Sequence, residues 1–437
     1  MLRYYFFLGI RSLRRNPALT ALIVLTLAIG VAASVSTLTI LHIMSGDPIP
    51  QKSDRLIAPI LDNGPLEGYT PGAKPFDHQM SYQDVQNLLA SKQGMRRAGL
   101  YRVNGVIEPP RKDIGVIEVT GLATNKDFFE MLEIPMLYGQ PWRDEDEKAS
   151  ADLIVLSRKT SEKIFGTANP VGQHIRMFNS DFKVSGVFDT WAPRPKFYSY
   201  NGRSEAFTSE EEFIIPLSSA IRHELPHEGN MSCHSSRDAG WQGILKSECT
   251  WLHFWFELKS AGDRPALQNY IDNYVADQHK LGRYQRQAPN HLYNVREWLV
   301  EMKVIGDDSK LSAWLAFGFL LLCMVNTIGL LLAKFSVRAS EVGVRRALGA
   351  SRAEIFLQFL IETAVVGLAG AVVGIVLAFG ALALIALQSK HLAAVAHMDW
   401  TMLGVTLLLS VSAAVLAGLL PTWRACQVTP AIQLKSQ

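Results

Sequence analysis

Cysteine is scarce here, four in 437 residues, too few for the disulfide framework that small secreted domains depend on. No G-x-x-x-x-G-K-[ST] string occurs, so the sequence carries no P-loop for a nucleotide. No G-x-S-x-G elbow is present either, and scattered serines and histidines define no nucleophilic triad. The net charge of +3 is mild. No basic stripe carries interleaved aromatics, which excludes a nucleic-acid surface. Internal repeats and low-complexity tracts are lacking. One string does look catalytic: His223-Glu224-Leu225-Pro226-His227 matches the H-E-x-x-H of zinc proteases. That chemistry needs both histidines on one helix face. Pro226 breaks such a helix at a cost of about 3 kcal/mol, and Gly229 and Asn230 break the chain again. The string reads as a solvated loop, where His223, His227, Cys233 and His234 could hold at most an adventitious metal.

Charge is absent from four long apolar runs, Leu19–Met44, Leu311–Ala333, Thr363–Gln388 and Met402–Leu420. Each is near or above the roughly 20 residues that span about 30 Å of hydrocarbon as a helix. In lipid only helices or closed barrels satisfy their own backbones. The expected fold is therefore an α-helical membrane protein with four transmembrane helices and a large α+β extracytoplasmic domain between helices one and two. The first run spans 26 residues, too long for a signal-peptide core of roughly 7–15, and reads as an uncleaved anchor. Basic residues flank the spans at Arg3, Arg11, Arg14 and Arg15, at Lys334, Arg338, Arg345, Arg346 and Arg352, and at Arg424 and Lys435. Four spans put all three groups on one side, as the positive-inside rule requires. Both termini are thus expected in the cytoplasm and residues 46–305 outside, in the periplasm of a Gram-negative cell.

The expected order is an interfacial helix over 1–18, spans over 19–44, 306–335, 361–388 and 400–421, and an outer domain over 45–305. A cytoplasmic connector covers 336–360, a short outer loop 389–399, and a cytoplasmic tail 422–437. The first fifteen residues place Leu2, Tyr5, Phe6 and Ile10 among four arginines, the pattern of a helix lying in the membrane interface. The outer domain's size suggests two subdomains. Its patterns predict strands at Asp152–Leu156, Phe182–Phe188, Phe213–Pro216 and Trp251–Leu258, and helices at Thr124–Leu132 and Pro265–His279. Ser157 is placed to cap a helix that ends at Gly166. Asp189–Ser209, rich in Pro, Gly, Ser and Tyr, reads as a loop or flexible insertion. Cys323 reads as a small apolar filler in the second span, and Cys426 as a reduced cytoplasmic thiol. Cys233 and Cys249 lie in the outer domain. They form either two thiols or a disulfide worth roughly 3 kcal/mol in the chain-entropy account.

The richest local signal is Lys334–Glu362. Glu341 precedes Arg345 by four residues, a favourable helix pair. Val342, Ala347 and Leu348 offer apolar contacts, and Gly349 can close the helix in a left-handed cap. Ser351-Arg352-Ala353-Glu354 forms a capping box for the next helix, whose apolar side carries Ile355, Phe356, Phe359 and Leu360. Such a knob, fixed to two membrane helices, suits transmission of force from a partner. On spacing alone, a basic loop lying on anionic headgroups is an equal reading. Within the spans, Gly370-x-x-x-Gly374 is a small-residue strip for close packing, and Asn326 is expected to hydrogen-bond between helices. Gln358 and Glu362 share one helix face at the membrane boundary.

The string Glu341-Val342-Gly343-Val344-Arg345-Arg346-Ala347-Leu348-Gly349-Ala350 resembles the E-I-G-x-R-x-A-L-G-A signature of MacB/FtsX-type ABC-transporter permeases. Gln358-Phe359-Leu360-Ile361-Glu362 is similar to that family's Q-F-L-x-E element. Asn326, Gly370, Gly374, Pro421, Arg424, Ala425 and Pro430 also fit. Leu13-Arg14-Arg15-Asn16-Pro17 resembles the family's opening. The resemblance is close over 1–45 and 311–437, and looser at Phe128–Gly139 and Ile154–Gly186, which look like the periplasmic core module.

The resemblance implies a non-catalytic permease working as a dimer, with a second copy or a paired homologous permease. Two cytoplasmic ABC ATPase subunits would bind ATP and magnesium; no cofactor is expected on this chain. The sequence begins just before its first span, so the ATPase is expected as a separate polypeptide. Residues 341–350 would be the coupling helix, Gly343 and Gly349 allowing close approach and Arg345 and Arg346 meeting acidic groups or lipid phosphates. The implied function is MacB-like mechanotransmission and efflux, with a periplasmic adaptor and outer-membrane channel as further partners. An FtsX-like regulator of a cell-wall hydrolase and a lipoprotein-release permease are alternatives. A membrane-anchored periplasmic enzyme is a third, which the missing catalytic constellation disfavours.

Overall fold

The computed structural model describes residues 2–75, 77–111, 113–166, 168–199, 205–208, 210–234, 237–286, 289–304, 306–388 and 400–427. The expected outer loop 389–399, and Pro430 and Lys435 in the tail, lie outside the described residues. The chain divides into two units, one of residues 1–45 with 305–437 and one of 46–304.

Among its described residues the first unit is built of helices: α1 (Leu2–Leu13), α2 (Pro17–Met44), α3 (Asp307–Ser336), α4 (Ala339–Ala347), α5 (Arg352–Gln388) and α6 (Trp400–Cys426). Four of these, α2, α3, α5 and α6, are long and apolar enough to cross a membrane. The expected spans 361–388 and 400–421 are short of the helices at their connector and tail ends. The capping box carries α5 through from Arg352, and α6 continues past the apolar run to Cys426. Ile23, Leu27, Val31 and Val35, four residues apart on α2, are fully buried, so α2 presents one continuous ridge to its neighbours. A Cβ on Gly30 would stand 2.8 Å from Cys323 Cβ on α3, so only glycine allows that approach. Ser34 donates to the Ala316 carbonyl at 2.9 Å and Ser410 to the Gly367 carbonyl at 2.9 Å. Such bonds join helices where the hydrophobic effect between them is lost.

The second unit is a mixed sheet. Its strands are β1 (Leu56–Ile60), β2 (Met80–Ser81), β3 (Arg96–Glu108), β4 (Ile117–Thr124), β5 (Met136–Gly139), β6 (Leu153–Ser157), β7 (His174–Met177), β8 (Ser180–Phe188), β9 (Phe213–Pro216), β10 (Thr250–Glu257) and β11 (His291–Asn294). They lie in the order β11-β1-β10-β3-β4-β9-β6-β8-β5, with β2 on β10 and β7 on β3 and β8. β4 with β9 and β6 with β8 pair in parallel; the other pairs are antiparallel. β3, 13 residues long, pairs with β4, β7 and β10, and one sheet path runs through the unit. Alternate residues feed two cores: Phe254 and Phe256 of β10 enter one, and Trp255 enters the other. Burial on both faces explains the near-continuous apolar runs of β1, β9 and β10.

Ser157 caps the helix Arg158–Phe165 by accepting from the Thr160 amide, and Gly166 ends it at φ +79°. Within Asp189–Ser209, which reads as a loop or flexible insertion, the described residues 189–199 and 205–208 form a loop that is pinned by burial. Trp191, Phe197, Tyr198 and Phe207 are buried. Trp298 donates its indole N–H to the Phe197 carbonyl at 2.9 Å, and Trp255 to that of Tyr198 at 3.1 Å. Lys196 and Glu211, both buried, pair at 2.7 Å. The Tyr198 hydroxyl donates to the same carboxylate at 3.0 Å. Burial first, then the Glu211 charge, holds that phenol well above its ordinary range.

Cys233 and Cys249 are disulfide-bonded, with Cα atoms 4.2 Å apart. The helix before the H-E-x-x-H string is Leu217–Arg222, so His223 lies past its end. His223 Nε2 sits 2.7 Å from Asp152 Oδ1, while the His227 ring packs beside Trp251. The two histidines share no helix face.

His253 on β10 is buried, and burial pushes its pKa down to about 4 from 6.5. The folded state therefore favours the neutral ring. Its contribution is complete above pH 6.5 and drains away as pH falls from 6.5 to about 4, because the unfolded chain takes up the proton first. We expect acid to remove roughly 3 kcal/mol through this group. Unfolding of the full chain against pH, compared with His253→Phe, should show a shallower slope in the variant over that window.

Candidate functional site

The connector between α3 and α5 is an elbow built from three local signals. α4 is nine residues long. Gly349, at φ +100°, closes it: the Gly349 amide donates to the Arg346 carbonyl and the Ala350 amide to that of Arg345, both at 3.1 Å. This pair of bonds is the Schellman closure of a helix. Ser351 then opens α5. Its hydroxyl accepts from the Glu354 amide at 3.2 Å, and the Glu354 carboxylate accepts from the Ser351 amide at 3.0 Å. Stop and start are thus separated by one short turn, which fixes the angle between α4 and α5.

Packing holds the elbow onto the helices beneath. Val342 of α4 is buried with Phe335, Ile355, Phe359 and Cys426, and the Phe335 and Phe359 rings lie 4.5 Å apart. Each such side chain contributes about 1.5–3 kcal/mol by leaving water. Gly343 is also buried. The other side of α4 is bare. Val344 is 54% and Leu348 83% exposed, and Ala347 is exposed beside them. An apolar patch on the outer edge of a charged turn has no role in the internal packing.

Two polar networks flank that patch. In the first, Glu341 accepts from Arg345 at 2.8 Å and from Arg15 at 2.8 Å, while Arg345 also donates to the Gln358 side chain at 2.9 Å. Arg346 reaches the Cys426 carbonyl at 3.4 Å. In the second, Glu362 of α5 is buried. Arg338 donates to its two oxygens at 3.1 and 2.8 Å, and Lys334 Nζ lies 3.1 Å from Oε1. Ser12 of α1 donates to the same carboxylate and accepts from Arg338 at 2.7 Å. One buried carboxylate thereby ties together α1, the end of α3, the α3–α4 joint and α5.

Gln358 and Glu362 share a face of α5, as the spacing implies, yet they serve different networks. Gly370 sits near Leu27 of α2 and Ser410 of α6, and Gly374 against the Ala28 backbone. Asn326 is exposed on α3 and makes no hydrogen bond among the described residues. Ser34 and Ser410 supply bonds between helices. Sequence reasoning counted Lys334 and Arg338 only as topological charges and passed over Ser12 altogether. A carboxylate and two cations placed near the ends of apolar runs was the available signal.

Comparison with known proteins agrees with the motifs. Residues 20–274 match the MacB-like periplasmic core domain, and residues 313–430 the FtsX-like permease C-terminal domain. The pyoverdine export ATP-binding/permease protein PvdT of Pseudomonas aeruginosa is 26% identical over 254 residues, covering 58% of this chain and 33% of that protein. The macrolide export ATP-binding/permease protein MacB of Hyphomonas neptunium is 23% identical over 440 residues, covering 98% of this chain and 60% of that one. The chain thus spans between a third and three fifths of these relatives' length. Among solved structures, the periplasmic region of MacB from Actinobacillus actinomycetemcomitans is 12% identical, with a TM-score of 0.37, over 59% of this chain and 96% of that one. The extracellular domain of the transporter YknZ from Gram-positive bacteria is 12% identical at a TM-score of 0.35, over 55% of this chain and 100% of that one. With the core-domain match alone covering more than half of its residues, and the signature string seated on a capped elbow between two spans, the chain belongs to the MacB/FtsX-type ABC transporter permeases.

Proposed function

We propose that the chain is the permease of an exporter, in which a cytoplasmic ABC ATPase, binding ATP and magnesium, drives the elbow and the elbow drives the domain between the first two spans. The observation that carries this reading is the bare Val344–Leu348 edge of a helix otherwise clamped to α3 and α5. A rigid knob with an exposed apolar edge suits a groove in a partner. The positive-inside rule puts that knob in the cytoplasm, where an ATPase would meet it. Closure of the ATPases would tilt α3 and α5 together, in a dimer with a second copy or a homologous permease. The outer domains would then expel material already beyond the inner membrane, toward an adaptor and outer-membrane channel. The relatives' names, pyoverdine and macrolide export, point to small secreted compounds as cargo.

The FtsX-like match of residues 313–430 is shared by a second reading, in which the same motion would switch on a cell-wall hydrolase. Accumulation of exported compound separates the two: deletion of the gene should abolish export in the first reading and leave it intact in the second. The coupling step itself is tested by Leu348→Asp. A buried aspartate without a partner costs several kcal/mol, so co-purification with the ATPase is expected to fall by about tenfold or more. Retention of the ATPase at wild-type levels in Leu348→Asp and Val344→Asp would remove the elbow from the coupling path.

A further inference from the structure

We infer that α1 is a binding arm for anionic phospholipid, with Arg11 and Arg14 taking the headgroup while the aromatic side of the helix enters the acyl boundary. The inference does not depend on the ATPase reading above. α1 has two faces with different fates. Tyr5, Gly9 and Ser12 form the inner one. Tyr5 and Ser12 are buried, and a Cβ on Gly9 would stand 2.9 Å from Val365, so α1 lies hard against α5. The outer face carries Tyr4, 65% exposed, with Phe6, Phe7 and Ile10 exposed beside it. Leaving such large apolar groups in water is unfavourable, and Tyr and Phe are at home in the headgroup layer. Only Arg14, Arg15 and Asn16 separate α1 from α2, an uncharged span, so this face sits where a bilayer surface must be.

Charge selects the lipid. α1 contains no acidic residue in its first turn, and its sequence LRYYFFLGIRSL has none at all. Arg15 is engaged by Glu341, whereas Arg11 and Arg14 are exposed and have no acidic partner among the described residues. The two stand three residues apart on a helical turn and border a depression of about 460 Å³ that Tyr4, Phe7, Leu8 and Ile10 also line. Paired guanidiniums with a fixed fork of donors match a phosphodiester better than they match a zwitterion's compensated headgroup. Because Ser12, on the opposite face, holds Glu362 and Arg338, lipid bound to α1 would also steady the elbow.

The test uses the full chain in nanodiscs made from equal parts of phosphatidylcholine and phosphatidylglycerol. Lipid retained after detergent extraction is identified by mass spectrometry. The wild type should enrich phosphatidylglycerol over the bulk mixture, and added salt should weaken the enrichment. Arg11→Gln with Arg14→Gln should lower apparent affinity by about fivefold for each arginine removed, while helical content by circular dichroism stays unchanged. Tyr4→Ser with Ile10→Ser should lower retention of both lipids alike. Unchanged enrichment in the arginine pair overturns the inference. So does protection of Arg11 and Arg14 from arginine-specific labelling by a protein partner when phosphatidylglycerol gives none.

Discussion

Replacing Glu362 with alanine is expected to destabilise the four-helix unit by roughly 3–5 kcal/mol, the usual cost of stranding buried charge. The carboxylate lies between Lys334, which is fully buried, and Arg338, 8% exposed. Without it two buried cations remain with no carboxylate between them, Arg338 keeping its bond to Ser12. The reverse deletion should be mild. Lys334→Met leaves Arg338 and Glu362 as a charge-balanced pair with both contacts from Arg338 Nη1 in place, so no buried charge is stranded. Thermal unfolding of the full chain in detergent should thus separate the two variants widely, with Lys334→Met near the wild type. Equal losses from both would mean that the cluster is held by packing rather than by charge balance.

A comparable loss is expected in the sheet unit from Glu211→Ala. Lys196 is 3% exposed and Glu211 1%, so the surviving ammonium would have neither water nor a counter-ion, again costing about 3–5 kcal/mol. The Tyr198 hydroxyl would lose its acceptor as well. The double variant Lys196→Met with Glu211→Leu should recover most of the loss, since it removes both charges and keeps the volume. Limited proteolysis provides the second readout. Cleavage within 189–209 should accelerate in Glu211→Ala and return toward wild type in the double variant. If the single variant matched wild type in both assays, the pinning of this segment by the ion pair would be disproved.

The residues that could be read in advance are those whose role is local. Ser157, Gly349, Ser351 and Glu354 act on backbone groups within a few positions of themselves, and the pair Glu341 and Arg345 is one helical turn long, so spacing alone exposes them. The four spans are legible because lipid demands long uncharged runs. What stayed hidden depends on distant partners. Ser12 meets Glu362 across 350 positions, and nothing near either residue announces the meeting. In Asp189–Ser209 the Pro, Gly and Ser content reveals the loop, while Trp191, Phe197 and Tyr198 decide that it is buried rather than free. Asn326 shows another limit. An amide in a span needs a partner, yet the sequence does not say whether its own chain supplies one. The sheet path was not legible either, since only pairing reveals that β3 joins β10 to β4.

α5 is unbroken for 37 residues, about 55 Å at the helical rise, which is close to twice the thickness of a bilayer's hydrocarbon. Under the proposed coupling, such a rod would work as an oar with its rowlock at the lipid. Swinging the handle through about 10° about the rod's middle would sweep the blade by roughly 5 Å. Transmission would then require no hinge, no unfolding and no deformation of the helix, only stiffness. A proline introduced midway along α5, at Val373, would turn the oar into a chain of two links, and the stroke would die at the break.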